Sequence, residues 1–129
     1  MVTTMNASAK IIAFLQVNDR EAARDFFVDV LGLRFVGADP HALVLESNGT
    51  RIRIGENRDF TPARGTALGW EVADIEEAVT ELEAKGIEFQ RYGFPGQDDR
   101  GIWTTPGGDK VAWFLDPSGN IISLSQHPS

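Results

Sequence analysis

The feature that most constrains this 129-residue chain is that its two halves repeat one pattern. The first half reads Val17-Asn18-Asp19, a helical run, and then Gly32-Leu33-Arg34-Phe35. The second half reads Val72-Ala73-Asp74, a helical run, and then Gly86-Ile87-Glu88-Phe89. In each half a pair of strands with a tight turn follows, around Asn48-Gly49 and around residues 116–119. A repeat of half the chain predicts two tandem βαβββ modules.

Capping residues and hydrophobic alternation place the elements of each module. Strands are predicted at residues 10–17, 33–36, 42–46 and 51–54, and then at 66–72, 87–91, 102–105 and in the hairpin 111–124. Asn18 with Glu21 and Asp74 with Glu77 predict the two helix starts, and Gly32 and Gly86 predict the ends. The modules span residues 10–56 and 65–126 of one predicted α+β domain, a curved mixed sheet around a cleft.

The second module carries an insertion. The offset between the modules grows from about 54 residues at Gly32 and Gly86 to about 70 at Gly49 and Gly119, so roughly 16 extra residues lie within 92–109. The insertion is rich in glycine and proline and contains Tyr92, Phe94 and Trp103. Two interpretations stay open: a pocket wall or lid, or a plain surface loop whose aromatics fill a satellite cluster.

Composition excludes several classes of function. The net charge is -7, which argues against a nucleic-acid surface. There is no cysteine, so disulfides, thiol chemistry and thiolate metal sites are excluded. No apolar run is long enough to span a membrane, and residues 1–8 lack the pattern of a signal peptide. We therefore expect a cytoplasmic protein with no membrane or nucleic-acid partner.

The order βαβββ–βαβββ, ending in residues 113–124 with Asp116-Pro117-Ser118-Gly119-Asn120, resembles the vicinal oxygen chelate superfamily. This superfamily includes glyoxalase I, fosfomycin-resistance enzymes, extradiol dioxygenases and bleomycin-binding resistance proteins. The resemblance covers residues 10–126 and implies the paired-module fold. It also implies a two-fold symmetric homodimer. It leaves the activity open, because one fold hosts many functions.

The resemblance implies where a divalent metal would be held, and this chain departs from that pattern. The metalloenzymes of the family use His and Glu side chains from both modules. The matching positions here are Ile12, Arg53, Ala67 and Ser123. An arginine stays protonated and would repel a divalent ion. His41 and His127 do not restore the pattern, so we expect no metal and no cofactor.

The face of each strand that turns away from the helices is predicted to line the cleft. These positions are apolar and aromatic with a few polar groups, as in many small-molecule sites. Trp113 joins them through the resemblance, because similar enzymes turn the aromatic residue three before Asp-Pro into the cleft. The predicted ligand-binding residues are Phe14, Gln16, Arg53, Glu71, Tyr92, Phe94, Trp103, Trp113 and Ser123.

Several of these residues have alternative roles. Arg53 could pair with Glu71 or bind a carboxylate of the ligand. Glu71 is the candidate catalytic base, if desolvation raised its pKa. Trp70 is expected in the core beside the helix, whereas Trp113 could serve either core or ligand. Ser118, Ser123 and Ser125 have no histidine within an arguable geometry, so we predict no nucleophile–base pair.

Together these patterns predict a metal-free small-molecule-binding protein of the glyoxalase/bleomycin-resistance type, which sequesters a drug or metabolite. The alternative is a lyase, isomerase or dioxygenase-like enzyme that acts on a small organic substrate. A third alternative is a dimeric module that binds no ligand. The sequence does not name the ligand.

Overall fold

The computed structural model describes residues 5–128. Residues 1–4, which belong to the segment predicted not to be a signal peptide, lie outside the described residues. The chain forms two compact units that meet in sequence between Arg58 and Asp59. Each unit contains one four-stranded mixed sheet and follows the order βαβββ. The predicted α+β class and the repeated module are therefore confirmed.

In the N-terminal unit, the first and last strands form a parallel pair. Its elements are β1 (Ile12–Val17), α1 (Arg20–Arg24), β2 (Arg34–Ala38), β3 (Ala42–Ser47) and β4 (Thr50–Glu56). Strand β1 pairs in parallel with β4, and the sheet order is β1-β4-β3-β2. The β3–β4 turn has positive φ at Asn48 and Gly49, as a tight hairpin turn requires.

Helix α1 starts one residue later than predicted. Asp19, not Asn18, is the N-cap, and its carboxylate accepts hydrogen bonds from the backbone N–H groups of Glu21 and Ala22, both at 3.1 Å. A carboxylate here also interacts favourably with the helix N-terminus. The helix continues as a π-helix over Asp25–Val30 and ends at Gly32, which has φ +79° as predicted.

The C-terminal unit repeats this arrangement. Its elements are β5 (Thr66–Glu71), α2 (Ile75–Ala84), β6 (Trp103–Thr104), β7 (Lys110–Leu115) and β8 (Ile121–Gln126), with sheet order β5-β8-β7-β6. Asp74 caps α2 by accepting from the N–H of Glu77 at 3.1 Å, as predicted. Gly86 follows the helix with φ +92°. None of the helices among residues 5–128 is long and apolar enough to cross a membrane.

The strand predicted at residues 87–91 does not form. Phe89 makes a single bridge to Phe114, and the Gln90 N–H donates to the Trp113 carbonyl at 2.8 Å. The chain then leaves the sheet edge and returns at β6, which pairs with the other end of β7. The insertion thus divides the edge strand in two, and this division explains why the predicted strand is reduced to one bridge.

Burial alternates along the strands as the sequence predicts. Leu15, Val17 and Ile54 are buried in the N-terminal unit, and Phe114 and Ile122 are buried in the C-terminal unit. Helix α1 packs against β3 and β4, and α2 packs against β7 and β8. The cores include Phe27 of the π-helical segment after α1 and Val79 of α2. One face of each sheet therefore packs on a helix. The opposite face is called the open face below.

The β7–β8 turn is built around a buried carboxylate. Asp116 is 4% exposed and accepts from the N–H groups of Ser118 and Asn120 and from the Asn120 side chain, at 2.8–2.9 Å. Burial raises the pKa of Asp116, and these hydrogen bonds oppose the rise. These residues therefore stabilise the turn, as their sequence pattern predicts.

Candidate functional site

Four aromatic side chains converge on the open face of the C-terminal sheet. Tyr92, Phe94, Trp103 and Trp113 form this aromatic cluster, with ring centroids 5.4–6.1 Å apart in five pairs. Trp103 and Trp113 are stacked with an interplanar angle of 26°. The other four pairs are tilted or edge-on, and all five are in the range of favourable ring contacts. The structure thus brings the predicted inserted aromatics together with Trp113.

The strands and the insertion both position the cluster. Trp113 lies on β7 between Ala112 and Phe114, which are buried on the helix-facing side, so its ring projects from the opposite face. Trp103 lies on β6, and its indole Nε1 donates to the Pro95 carbonyl at 3.1 Å. Tyr92 and Phe94 remain 43% and 41% exposed. The cluster is therefore an open aromatic surface, not a sealed satellite core.

One side chain, Gln97, holds the inserted loop. Its Oε1 accepts from the N–H groups of Tyr92 and Gly93 at 2.7 and 3.1 Å. Its Nε2 donates to the carbonyls of Gln90 and Gly101 at 3.1 and 3.0 Å. Four bonds from one amide connect the two ends of the loop. The sequence analysis did not identify Gln97, because a glutamine in a loop carries no specific signal.

Polar positions adjoin the aromatic cluster across the sheet. Ser123 of β8 pairs with Trp113 on one side and with Gly69 on the other. A Cβ at Gly69 would collide with the Ser123 hydroxyl, so glycine leaves space for that side chain. In the next row, Glu71 pairs with Ser125. Glu71 is exposed, so its surroundings do not provide the desolvation on which a general-base role would depend.

The other predicted ligand contacts lie on the open face of the N-terminal sheet. Phe14 and Arg53 are partners in register on β1 and β4, and Gln16 is opposite Gly55. Phe14 is 75% exposed. Trp70, by contrast, lies on β5 opposite buried Leu124, on the helix-facing side where the sequence predicts it.

Arg53 forms an ion pair with Asp39 within the N-terminal unit. Arg53 Nη2 lies 3.0 Å from Asp39 Oδ2. Asp39 is in the β2–β3 loop, and its other oxygen accepts from the N–H groups of His41 and Ala42, both at 2.8 Å. These backbone bonds orient the carboxylate toward β4. The His41 N–H, the Arg53 guanidinium and the Ala42 N–H together lower the pKa of Asp39 to about 2.

The prediction that no serine has a histidine partner is also wrong. His127 Nε2 lies 3.0 Å from Ser125 Oγ, and His127 Nδ1 lies 2.9 Å from Asp109 Oδ1. Ser125 and His127 are two residues apart on an extended chain, so both side chains point to the same side. The β7–β8 register pairs Lys110 with Gln126, which places Asp109 opposite His127. Strand periodicity and hairpin register together could have found this arrangement.

A separate groove of about 520 Å³ lies at the C-terminal end of α2. Two of its charged side chains are paired: Arg100 Nη2 is 2.9 Å from Glu83 Oε1, and it also lies 2.7 Å from Thr80 Oγ1 beside the groove. None of the predicted site residues lines this groove. We therefore assign the candidate site to the open face and not to this groove.

Residues 9–124 match the family model described as the Glyoxalase/Bleomycin resistance protein/Dioxygenase superfamily. The chain belongs to this superfamily. The match covers both units and confirms the resemblance drawn from the repeat. Among curated proteins, none matches the chain.

Solved structures of other proteins share the fold over nearly the whole chain. A superfamily member from Sphaerobacter thermophilus DSM 20745 is 27% identical with a TM-score of 0.70, over 93% of this chain and 98% of that one. TnmS3, an antibiotic binding protein from Streptomyces sp. CB03234, is 24% identical with a TM-score of 0.73, over 96% and 99%. A lactoylglutathione lyase from Agrobacterium tumefaciens is 20% identical with a TM-score of 0.73, over 95% and 96%.

The residues at the superfamily's metal positions do not fit a divalent metal. Ile12 and Ala67 have no donor atom, and Arg53 carries a positive charge that Asp39 already engages. Ser123 is the only oxygen donor of the four. Within residues 5–128, no three His, Cys, Asp or Glu side chains lie close enough together to hold an ion. No step of a mechanism is therefore assigned to a metal.

Proposed function

We propose that this protein binds a small molecule without a metal and sequesters it, the ligand being a drug or metabolite with an aromatic or apolar group. The observation that carries the proposal is the aromatic cluster. Large apolar side chains grouped on an open surface are typical of binding sites. Here they are held in place by β6, β7 and the Gln97 bonds, so little ordering is required when a ligand binds.

The fold relatives support a small-molecule ligand as a class. TnmS3 is an antibiotic binding protein of the same fold, so this scaffold can serve drug binding. The lactoylglutathione lyase relative shows that the fold also serves catalysis. The departure from the metal pattern at Ile12, Arg53 and Ala67 favours binding over the metal-dependent alternative.

Ser123 and Glu71 supply polar contacts beside the aromatic cluster in this proposal. Phe14, Gln16 and Arg53 remain proposed ligand contacts on the N-terminal sheet. Arg53 is paired with Asp39, so a ligand carboxylate would compete with Asp39 for the guanidinium. A location in the cytoplasm stays a prediction from composition.

The proposal is tested by a thermal-shift screen of aromatic acids, aromatic antibiotics and secondary metabolites, followed by titration of each hit. Replacement of Trp113 by alanine should weaken binding of a hit by about tenfold, because an aromatic pair contributes roughly 0.5–1.5 kcal/mol beyond area burial. Phe35→Leu is the matched control, because Phe35 lies outside the candidate site. The guanidinium carbon of Arg24 lies 4.2 Å from the centroid of the Phe35 ring.

Two outcomes would contradict the proposal. If Trp113→Ala leaves ligand binding unchanged and Phe35→Leu weakens it, the ligand site lies elsewhere. Conversion of a hit that has no ester bond into a product by the wild-type chain would favour the alternative lyase, isomerase or dioxygenase-like enzyme.

A further inference from the structure

The C-terminal unit contains a serine, a histidine and an aspartate joined in one chain of hydrogen bonds. Ser125 Oγ is 3.0 Å from His127 Nε2, and His127 Nδ1 is 2.9 Å from Asp109 Oδ1. An ionised carboxylate only accepts hydrogen bonds, so Nδ1 carries the ring proton. Nε2 of the neutral ring is then free to accept the proton of the Ser125 hydroxyl. This is the tautomer that a general base requires.

Three features of the fold hold this arrangement. Ser125 is fixed in β8 between β5 and β7. Asp109 closes a tight turn in which its N–H donates to Thr105 Oγ1 at 3.1 Å and its carbonyl accepts from the Thr105 N–H at 2.8 Å. Gly108 of that turn has φ +94°, and a Cβ there would lie 3.4 Å from Pro128. The turn and the chain after β8 therefore pack side by side.

The serine lies on the same face as the aromatic cluster. Across the sheet, one row runs from Glu71 to Ser125, to Val111 and to Trp103, by direct pairing of neighbouring strands. Trp113 is two residues from Val111 on the same side of β7. Diagonal neighbours on a sheet face lie within reach of large side chains. A molecule bound on the rings would therefore have Ser125 at its edge.

We propose that Ser125 is a nucleophile that attacks small carboxylic esters of aromatic alcohols, with His127 as general base and Asp109 as positioning residue. The Oγ–carbon bond forms and the ester carbon–oxygen bond breaks. His127 passes the serine proton to the departing alcohol. Water then attacks the acyl group, releases the carboxylic acid and returns a proton to Oγ. No metal or redox partner is needed.

The aromatic preference rests on the proposed binding function, but the reactivity of Ser125 does not. Diisopropyl fluorophosphate tests the reactivity alone, because it has no ring. Its phosphorus forms a bond to Oγ as the phosphorus–fluorine bond breaks, and the serine proton passes to His127. Incubation of the full chain should give one adduct by intact mass, and peptide mapping should place it on Ser125.

Variants separate this role from simple structural bonding. Ser125→Ala should abolish the adduct, and His127→Gln should slow its formation by about 100-fold or more. Asp109→Asn should lower the rate at saturating probe and leave the half-saturating concentration unchanged, because the histidine can then adopt the wrong tautomer. His41→Gln and Ser8→Ala are matched controls and should behave as wild type.

The same variants are then compared in hydrolysis of p-nitrophenyl acetate, with thermal melting to confirm that each is folded. An adduct on Ser125 that depends on His127 supports the proposal, whether or not any aromatic ligand binds. Absence of an adduct on folded wild-type protein would overturn it. An adduct formed equally fast by His127→Gln would also overturn it.

Discussion

At the residue scale, the N-terminal sheet shows how one arginine changes a family site. At a position where the family resemblance implies a metal ligand, this chain has Arg53, which Asp39 holds through an ion pair of 3.0 Å. Asp39 is in turn oriented by two backbone N–H groups. The arrangement replaces a metal ligand with a fixed pair of opposite charges. Two predictions follow from these residues.

The first concerns acid stability. The pKa of Asp39 is lowered from 3.8 to about 2, so its stabilising contribution is present above the ordinary pKa and is lost as pH falls through the lowered value. Asp39→Asn should therefore lose less stability than wild type between about pH 4 and pH 2. Melting temperatures across this range measure it, with Asp29→Asn as the control for one lost charge. Parallel curves for wild type and Asp39→Asn would contradict the expectation.

The second concerns metal content. Ile12, Arg53, Ala67 and Ser123 together supply one neutral oxygen donor, which is far from the donor sets that Zn²⁺, Ni²⁺ or Fe²⁺ prefer. Elemental analysis of the purified protein should find these metals well below one equivalent per chain. Near-unit content, removed by a chelator together with ligand binding or activity, would show that another set of residues holds an ion.

At the element scale, the insertion is what distinguishes the second module from the first. In the N-terminal unit, β2 runs unbroken along β3 except for one bulge. In the C-terminal unit, the same edge of β7 is shared by Phe89 and by the two residues of β6. The loop between them carries Tyr92 and Phe94 to the open face. The insertion thus adds an aromatic cluster at a sheet edge.

Loss of the Gln97 side chain should release this loop. Gln97→Ala removes four hydrogen bonds, each with a net value of about 1 kcal/mol. The amides of Tyr92 and Gly93 should therefore exchange with solvent at least about tenfold faster. Gln90→Ala is the matched control, because it keeps the backbone carbonyl that Gln97 contacts. Unchanged exchange in Gln97→Ala would mean that the aromatic rings, and not the amide, order the loop.

Most elements could be predicted from the sequence because their signals are local. The alternation of apolar and polar residues predicts the buried faces around Leu15 and Phe114. The Asp74–Glu77 pair predicts the start of α2, and Gly86 predicts its end. The prediction of a strand around Phe89 was wrong because no local sequence pattern shows where an inserted segment leaves a sheet. The Ser125–His127–Asp109 bonds were missed for a related reason: Asp109 meets His127 only through the register of the hairpin.

At the scale of the whole molecule, the N-terminal unit leaves large apolar side chains exposed. Ile11, Ile12 and Phe14 are 73%, 47% and 75% exposed in a single chain. Contact with a second chain would remove such surface from water, which is favourable. We therefore propose the two-fold symmetric homodimer that the family resemblance implies.

Sedimentation tests the assembly. The protein should sediment as a dimer at micromolar concentration, and Ile11→Glu should shift it toward the monomer because a charge would be buried in the contact. The exposed Met5→Glu controls for the added charge. A wild-type monomer at micromolar concentration would contradict the proposal.

The central claim, that the aromatic cluster binds the ligand, is tested most directly by the indole N–H resonances of the three tryptophans. Trp103 and Trp113 belong to the cluster, whereas Trp70 lies on the helix-facing side of the same sheet. A hit from the screen should shift the Trp103 and Trp113 signals, saturating with its measured Kd, and leave Trp70 unchanged. A saturable shift confined to Trp70, or saturable binding that moves neither cluster signal, would contradict the assignment.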